Sequence, residues 1–427
     1  MPGPLDGIKV FEVSQIVAGP YCGLNLADLG ADVVKVEPPG GEGSRQSGGF
    51  IPGESKGFHS LNRGKRSLVI DLGSPDAQAL VHRIIPEFDV FVINARPGVA
   101  EHLCVDYETL RKFRPDIIYF ENSGFGQRGP LRSRSGSDAV AQAYSGLLAG
   151  DGKVDDFGAP EIISATAPAD YHAGLAGAMA ISAALFHRER TGKGQYIETS
   201  LLQAGLAMQG TRIGRLPVID VETSDKTIAR IRELQATGGS YREQIKSRGS
   251  MFDQMGRAAA RLFYGGYAVK DGGVILGALT PLNRNQMRKA IGIEDDPTAD
   301  PEFNSLDPER HKLVDEMLER VRGIMLTKTM DEWVDIFNEL GAPISKVNFP
   351  EDMADDPQVE AMGYMIDLDH ELTGPERMVG PIVFMSETPT GTQVPSPPLG
   401  RHTDELLREC GIDDAEIARL REVLAIA

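Results

Sequence analysis

The chain has 427 residues, a length at which two domains are expected, and its 41% hydrophobic and 25% charged residues suit a water-soluble globular enzyme. A formal net charge of −18 argues against a nucleic-acid binder, which needs a basic face; a phosphate-bearing small ligand needs only a local cluster of Arg, Lys and helix N-termini. No apolar run is long enough for a bilayer, "MPGPLDGIKV" lacks the pattern of a signal peptide, and Cys22, Cys104 and Cys410 outline neither a disulfide framework nor a zinc site, so the expectation is a cytoplasmic protein with no membrane partner and no metal.

In chain order, "IKVFEV" (Ile8 to Val13) is short and β-branched and predicts a first strand. Beyond "SQIVAGP", Pro20 suits the first turn of a helix through "YCGLNLADLG", which Gly30 stops. "ADVVKVE" predicts a second strand ending at Glu37, and "KRSLVIDL" a third. Ser74-Pro75 then opens a helix carrying Ala79, Leu80, Ile84 and Ile85, and "FDVFVIN" and "PDIIYFEN" supply two more strands. Such alternation predicts a parallel sheet covered by helices. From about 137 to 208 the texture changes to small-residue helices, interrupted by "GDGKVDDFGAPE". "TGKGQYIETSLLQAGL" reads as a turn, a strand at Gln195 to Glu198 and a helix. Residues 209 to 260 are the least legible. They hold a charged helical stretch, "SDKTIARIRELQ", and a loop, "TGGSYREQIKSRGS", and read as a linker or substrate-facing insertion. "YGGYAVKDGGVILGAL" predicts a hairpin turning at Asp271-Gly272. Helices around Asn285–Ile291 and Arg310–Met325, then "TMDEWVDIFNELG", complete a second domain.

Ligands of parallel sheets bind outside the carboxyl ends of the strands. The loops there are "SQIVAGP", "EPPGGEGSR", "NARPGVAEH" and "NSGFGQRGP", all rich in Gly, Pro or Arg. They read either as a phosphate or nucleotide site or as ordinary strand-to-helix connections. Glu37 stands where a ribose-binding acid of an NAD site would be, but the first turn lacks GxGxxG and has only Gly19 followed by Pro20, so a dinucleotide is not expected. In "SATAPADYHAGLAGAMA" Asp170 is a single carboxylate among small and apolar neighbours. Two readings stand: a helix N-cap, or a reactive carboxylate.

Several stretches together resemble the class III acyl-CoA transferases, the formyl-CoA transferase and carnitine CoA-transferase type. They include "GIKVFEVSQIVAGPYCGLNLADLGADVVKVEPPGG", "LNRGKRSLVIDL", "INARPGVAEHL", "YETLRKFRPDIIYFENSGFGQRGP", "SDAVAQAYSG", "RTGKGQYIETSLLQA", "TMDEWVDIFNELGAPISKVN", "DDPQVEAMGYM" and "PSPPLGRHTDELLRECGI". The resemblance runs in order along most of the chain and leaves out only about 209 to 260. It implies an α/β fold in which a Rossmann-like parallel-sheet large domain and a smaller α/β domain form an interlocked homodimer. The large domain would span 1–208 with 385–427 returning to it, the insertion 209–260, and the small domain 261–384. The substrates implied are an acyl-CoA and a carboxylic acid, with coenzyme A itself a substrate and no other cofactor.

By position in the family motif, Asp170 is the implied nucleophile. It would attack the thioester to give a mixed anhydride, then pass through an aspartyl-CoA thioester. Asp138 matches an acidic position of some transferases and either orients groups around Asp170 or caps its own helix. Val17, where formyl-CoA transferases carry glutamine, and Ala18, Leu61, Lys65, Arg66 and Asn94 match positions near the CoA. Arg45 is a candidate for the CoA phosphates. His102 stands where members usually have arginine, a charge Arg96 can replace. The racemases of the same superfamily place a His before the Asp of "SDAVAQAYSG"; here that residue is Ser137, which makes an α-methylacyl-CoA racemase the second reading. An inactive CoA-binding partner subunit is a third. The glycine-rich lid of the formyl-CoA transferases has only loose counterparts, "TGGS" and Gly265-Gly266. Oxalate is not the expected acceptor; Arg212, Arg215 and the basic residues through Arg248 are candidates for a second substrate carboxylate.

Overall fold

In the computed structural model, which describes residues 2–47, 51–249, 258–300, 303 and 307–427, six strands form one parallel sheet. They are β1 (Lys9–Val13), β2 (Asp32–Glu37), β3 (Lys65–Val69), β4 (Val90–Asn94), β5 (Ile118–Ser123) and β6 (Gln195–Ser200), in spatial order β3-β2-β1-β4-β5-β6. Chain order therefore reverses between β1 and β4. The helices of this part are α1 (Ala18–Asp28), α2 (Lys56–Asn62), α3 (Pro75–Ile84), α4 (Val99–His102), α5 (Tyr107–Leu110), α6 (Asp138–Tyr144), α7 (Leu147–Asp151), α8 (Pro168–Thr191) and α9 (Leu201–Ala207).

Because side chains alternate along a strand, the sheet buries two different faces. Phe11, Val34, Phe91 and Tyr119 pack with α3 and the C-terminal helices Thr403–Glu409 and Asp414–Glu422. Val10, Val33, Val92, Ile118 and Phe120 pack with α1 and α8. The small-residue run in α8 lets it lie directly on α1. A Cβ on Gly174 would stand 2.5 Å from the Ala18 carbonyl oxygen, and one on Gly177 2.5 Å from Phe120.

Between these layers runs a string of buried charges. Glu12 of β1 bonds Lys65 at 2.8 Å and Lys35 at 3.3 Å, and Lys35 also stands 3.5 Å from Glu42. Burial pushes the Lys65 ammonium down to about 8. Burial would lower Lys35 too, but the carboxylates of Glu12, Glu42 and Glu37 outweigh it and raise it. Each cation is matched, as buried charge requires.

The tail from about residue 394 lies along β3. Ser67 N–H donates to His402 Nδ1, Val69 N–H to Thr403 Oγ1 and Asp71 N–H to the Ala425 carbonyl (3.2, 3.2 and 2.9 Å).

A second unit has its own core. β7 (Tyr264–Val269), β8 (Gly272–Gly277) and β9 (Ile344–Lys346) form an antiparallel sheet. Helices Pro281–Ile291, Pro308–Met325 and Met330–Glu339 cover it, with Trp333, Phe337 and Met287 buried. The hairpin turns one residue earlier than expected, since Val269 pairs with Gly272 and leaves Lys270-Asp271 as the loop. Gly265-Gly266 lies inside β7 rather than in a lid. "SYREQIKSR", expected as loop, is a helix (Tyr241–Arg248) opened by a Ser240–Glu243 capping box. Residues 250–257 of the expected insertion lie outside the described residues.

The contacts divide the chain at points other than the expected 208, 260 and 384. One unit is Met1–Asp151, Glu161–Ile213 and Ala354–Ala427; the other is Gly152–Pro160 and Gly214–Met353. The return to the first unit thus begins some thirty residues before 385, because a further hairpin, β10 (Met365–His370) with β11 (Gly374–Val379), docks there. His59 is its clamp: one ring nitrogen meets Glu54 at 2.8 Å and the other Glu376 of β11 at 2.7 Å. Burial alone would lower this imidazole, but the two carboxylates raise it above 6.5. A raised value means the stabilisation is complete below the unfolded value and is lost as pH rises through the folded one. His59→Gln is therefore expected to lower the melting temperature clearly at pH 6 and much less at pH 9. Equal losses at both pH values would refute the charged clamp.

Candidate active site

The carboxyl ends of β1 and β4 flank the point where strand order reverses, which is where a doubly wound sheet opens a crevice. The two loops there are tied together by one side chain. Asn94 Oδ1 accepts the Gln15 N–H at 2.8 Å, and Asn94 Nδ2 donates to the Gln15 carbonyl at 2.7 Å. Ile16, next in the first loop, sits at φ +69°, a strained conformation for a β-branched residue. Glu42 holds it there by accepting its N–H at 3.0 Å. A cavity of about 990 Å³ opens over these loops. Its walls are 15–17, 94–96 and Val99, 122–124, 135–139 and Gln142, 162–164, and Thr166, Ala167, Asp170, Tyr171 and Leu201. Three of the four Gly-, Pro- or Arg-rich loops line it. The other, around Glu42, buttresses the first.

Helix α8 begins at Pro168, and its N-cap, Ala167, has no side-chain oxygen to offer. Asp170 is the third helical residue, so it is not the N-cap. Asp138 does that work from another helix: its Oδ1 accepts the N–H groups of Ala169 (2.8 Å) and Asp170 (3.1 Å). Asp138 itself is the first residue of α6, after Ser137 at that helix's N-cap, so it caps α8 rather than its own helix. Its Oδ2 accepts from Gln142 Nε2, and Gln142 Oε1 takes the Ile163 N–H at 3.0 Å. Asp170 is left 9% exposed at the cavity wall, and its carboxylate accepts no hydrogen bond among the described residues. Burial, and then the nearby charge of Asp138, push its carboxyl up to about 7. A carboxylate of this kind, unshielded by hydrogen bonds at the N-terminus of a long helix, is suited to attack an electrophile.

Of the residues expected around CoA, Val17, Asn94 and Arg96 line the cavity, and Ala18 is buried at the start of α1 directly behind it. Arg96 donates to Ser135 Oγ at 3.1 Å and has no carboxylate partner among the described residues. The remaining five do not line it, each for a visible reason. Arg45 is fully buried in a two-pronged pair with Glu37 (2.6 and 2.8 Å) and stacks on Phe58. Lys65 is spent on Glu12, Asn62 and the Pro20 carbonyl, and Arg66 on Asp32 and Glu409. Leu61 is buried in α2, and His102 is exposed at the end of α4. Arg212 donates to the Gly150 carbonyl and Arg215 pairs with Asp225. Gln15, Asn122 and Ser123 also line the cavity, and the signal for them in the sequence is that polar residues at parallel-strand ends face the crevice; Gln142, inside α6, lines it without such a signal. Elsewhere Glu54, His59 and His370 bring their ligand atoms within 4.8 Å of one another. Both ring nitrogens of His59 are bonded to carboxylates, and His370 Nδ1 accepts the N–H groups of Leu372 and Thr373, so the cluster reads as a docking clamp.

Residues 5–403 match the family model described as CoA-transferase family III. A succinate–glutarate CoA-transferase of Agrobacterium fabrum is 33% identical over 95% of this chain and 95% of its own length. An (R)-2-hydroxy-4-methylpentanoate CoA-transferase of Clostridioides difficile is 28% identical over 98% of each. Among solved structures, a CAIB/BAIF family protein from Brucella suis superimposes with a TM-score of 0.74 at 29% identity, covering 96% of this chain and all of that one.

Proposed function

Because the chain belongs to CoA-transferase family III, we propose that it moves CoA from an acyl-CoA to a carboxylic acid by covalent catalysis at Asp170. The observation that carries this is the unbonded Asp170 carboxylate at the cavity wall, freed from capping by Asp138.

In the proposed sequence an Asp170 oxygen attacks the thioester carbonyl, the C–S bond breaks, and a mixed anhydride and CoA thiolate result. The thiolate attacks the aspartyl carbonyl; the donor acid leaves as carboxylate and an aspartyl-CoA thioester remains. The acceptor carboxylate attacks that thioester, releasing thiolate and a new anhydride. Thiolate then attacks the acceptor's acyl carbon, which leaves as acyl-CoA and restores the Asp170 carboxylate. Every bond made or broken is thioester, anhydride or carboxylate chemistry, so neither metal nor organic cofactor enters. Asp138 holds the helix end on which the nucleophile sits. Val17, Ala18 and Asn94 present the first loop to CoA, and Arg96 offers the charge for its phosphates. Glu12, Lys35, Glu42 and Lys65 act through that loop rather than on the ligand.

A racemase needs two proton carriers across the α-carbon. Ser137 replaces one of them, and the exposed His172 is not among the cavity-lining residues, which favours the transferase. Relatives named for succinate and glutarate and for a branched 2-hydroxy acid keep both classes of acceptor in the proposal. An interlocked homodimer is part of it too, supported by apolar residues left open along α8 (Leu175, Met179, Phe186) and at Phe384. No helix among the described residues is long and apolar enough to cross a membrane; a cytoplasmic location is proposed on the three cysteines, all free thiols.

The test is intact-protein mass spectrometry after mixing with a panel of acyl-CoAs, with hydroxylamine or borohydride trapping. A CoA-sized adduct or trapped modification mapping to Asp170 is expected. If Asp170 stays unmarked while solvent deuterium enters the α-carbon, the protein is a proton-transfer enzyme.

A further inference from the structure

Asn122 is the penultimate residue of β5, on the strand face that also carries Ile118 and Phe120. Along β5 that face is apolar up to Asn122 and packs against α1 and α8. Asn122 is 4% exposed, its Oδ1 is buried without a partner, and its side chain makes no hydrogen bond among the described residues. Its neighbour across the sheet, Asn94 of β4, has both ends of its carboxamide engaged with Gln15. Buried polar groups are ordinarily paired, and an unpaired one is an oddity that packing does not explain. A leucine of nearly the same shape would fill the same space without an unpaired buried polar atom. Asn122 also lines the cavity of Asp170, and the helix bearing Asp170 packs on this same sheet face.

We propose that Asn122 contacts the substrate in this cavity, its carboxamide donating to the acyl carbonyl oxygen of the CoA thioester that Asp170 attacks. As the C–O bond from Asp170 forms, the carbonyl π electrons move onto that oxygen, and the N–H that Asn122 presents there stabilises the charge. Turning the carboxamide about Cβ–Cγ exchanges its donor and acceptor ends, so the group can present N–H to the acyl oxygen. This inference rests on the covalent reading of Asp170 above.

The experiment compares wild type with Asn122→Leu and Asn122→Asp. It measures the single-turnover rate of adduct formation at Asp170 with an acyl-CoA that marks the wild type, the Kd for CoA, and the melting temperature. Asn122→Leu should fold with an unchanged or higher melting temperature and bind CoA within about threefold, yet form the adduct roughly 10²-fold more slowly, the scale of losing one oxyanion donor. Asn122→Asp, which puts an acceptor-only group at that place, should be at least as slow. An adduct rate within threefold of wild type in a folded Asn122→Leu overturns the inference. Should wild type itself form no adduct with any acyl-CoA, the covalent reading fails first, so the two failures are told apart. If Asn122→Leu does not fold, the Asp variant and Asn122→Ser decide by the same rate.

Discussion

Asp170→Asn is expected to give a protein that melts at a higher temperature and has lost transfer by about 10⁴-fold or more, the scale seen when a covalent nucleophile is removed. The two effects have one cause. Asp170 is buried without a hydrogen bond, and burial followed by the charge of Asp138 lifts its carboxyl from 3.8 to about 7. A carboxyl raised in the folded state costs stability wherever it is ionised there. The cost is absent below the unfolded value, grows as pH rises, and is complete above the folded value. The distance from 3.8 to about 7 sets a ceiling of about 4 kcal/mol at pH 8. The asparagine removes that cost, so its gain in melting temperature should be largest at pH 8 and vanish near pH 4. Urea or thermal unfolding at both pH values checks the stability; the adduct assay checks the chemistry. A variant less stable at pH 8 than wild type would mean that Asp170 is held by contacts the structure does not contain.

Asp138 separates two roles when it is replaced in two ways. Asp138→Asn keeps an oxygen for the Ala169 and Asp170 N–H groups but removes the charge that helps raise Asp170. Wild-type capture should rise with pH around a midpoint near 7, as the nucleophile ionises. In the asparagine variant that midpoint should move to lower pH. A fall of about one pH unit, typical of one close charge pair, would speed capture at pH 6 roughly five-fold. Asp138→Ala loses the cap as well. It should cost about 1–2 kcal/mol and slow capture at pH 8, where Asp170 is ionised in either protein, because the helix end carrying Asp170 is no longer held. An unmoved midpoint in Asp138→Asn would show that the two carboxylates do not feel each other.

The five strands of the first 125 residues and the helices between them are legible because their apolar residues recur at the right periods and their ends carry Pro, Gly or Ser. Asp170 is legible as an oddity, a charge where small apolar residues surround it. Its relation to Asp138 is not, since the cap reaches α8 from more than thirty residues away. Arg45, Lys65 and Arg66 show the same limit from the other side. A basic residue in a loop or at a strand edge reads as a ligand contact until its partners are known: Glu12 and Asp32 are brought to Lys65 and Arg66 only by the sheet, and Glu37 to Arg45 by the fold-back of the loop after β2. The helix Tyr241–Arg248 was hidden by the Gly238-Gly239 ahead of it, although "SYRE" holds its capping box. In the sequence nothing singles out Asn122 at the end of an apolar strand; its buried, unpartnered Oδ1 does so only in the fold.

The tail along β3 has a consequence for the protein's behaviour in crowded solution. β3 is an outer strand, so the outward N–H groups of Ser67, Val69 and Asp71 would otherwise be a template on which a strand from another molecule could add. His402, Thr403 and Ala425 take all three. They do so with a ring nitrogen, the hydroxyl of a helix's first residue and one backbone carbonyl, a set of acceptors that a regular strand does not present. The tail thus covers this edge of the sheet while adding only a single antiparallel bridge, Ile426 to Ile70, and a chain without it would leave the β3 edge open to pairing with another molecule.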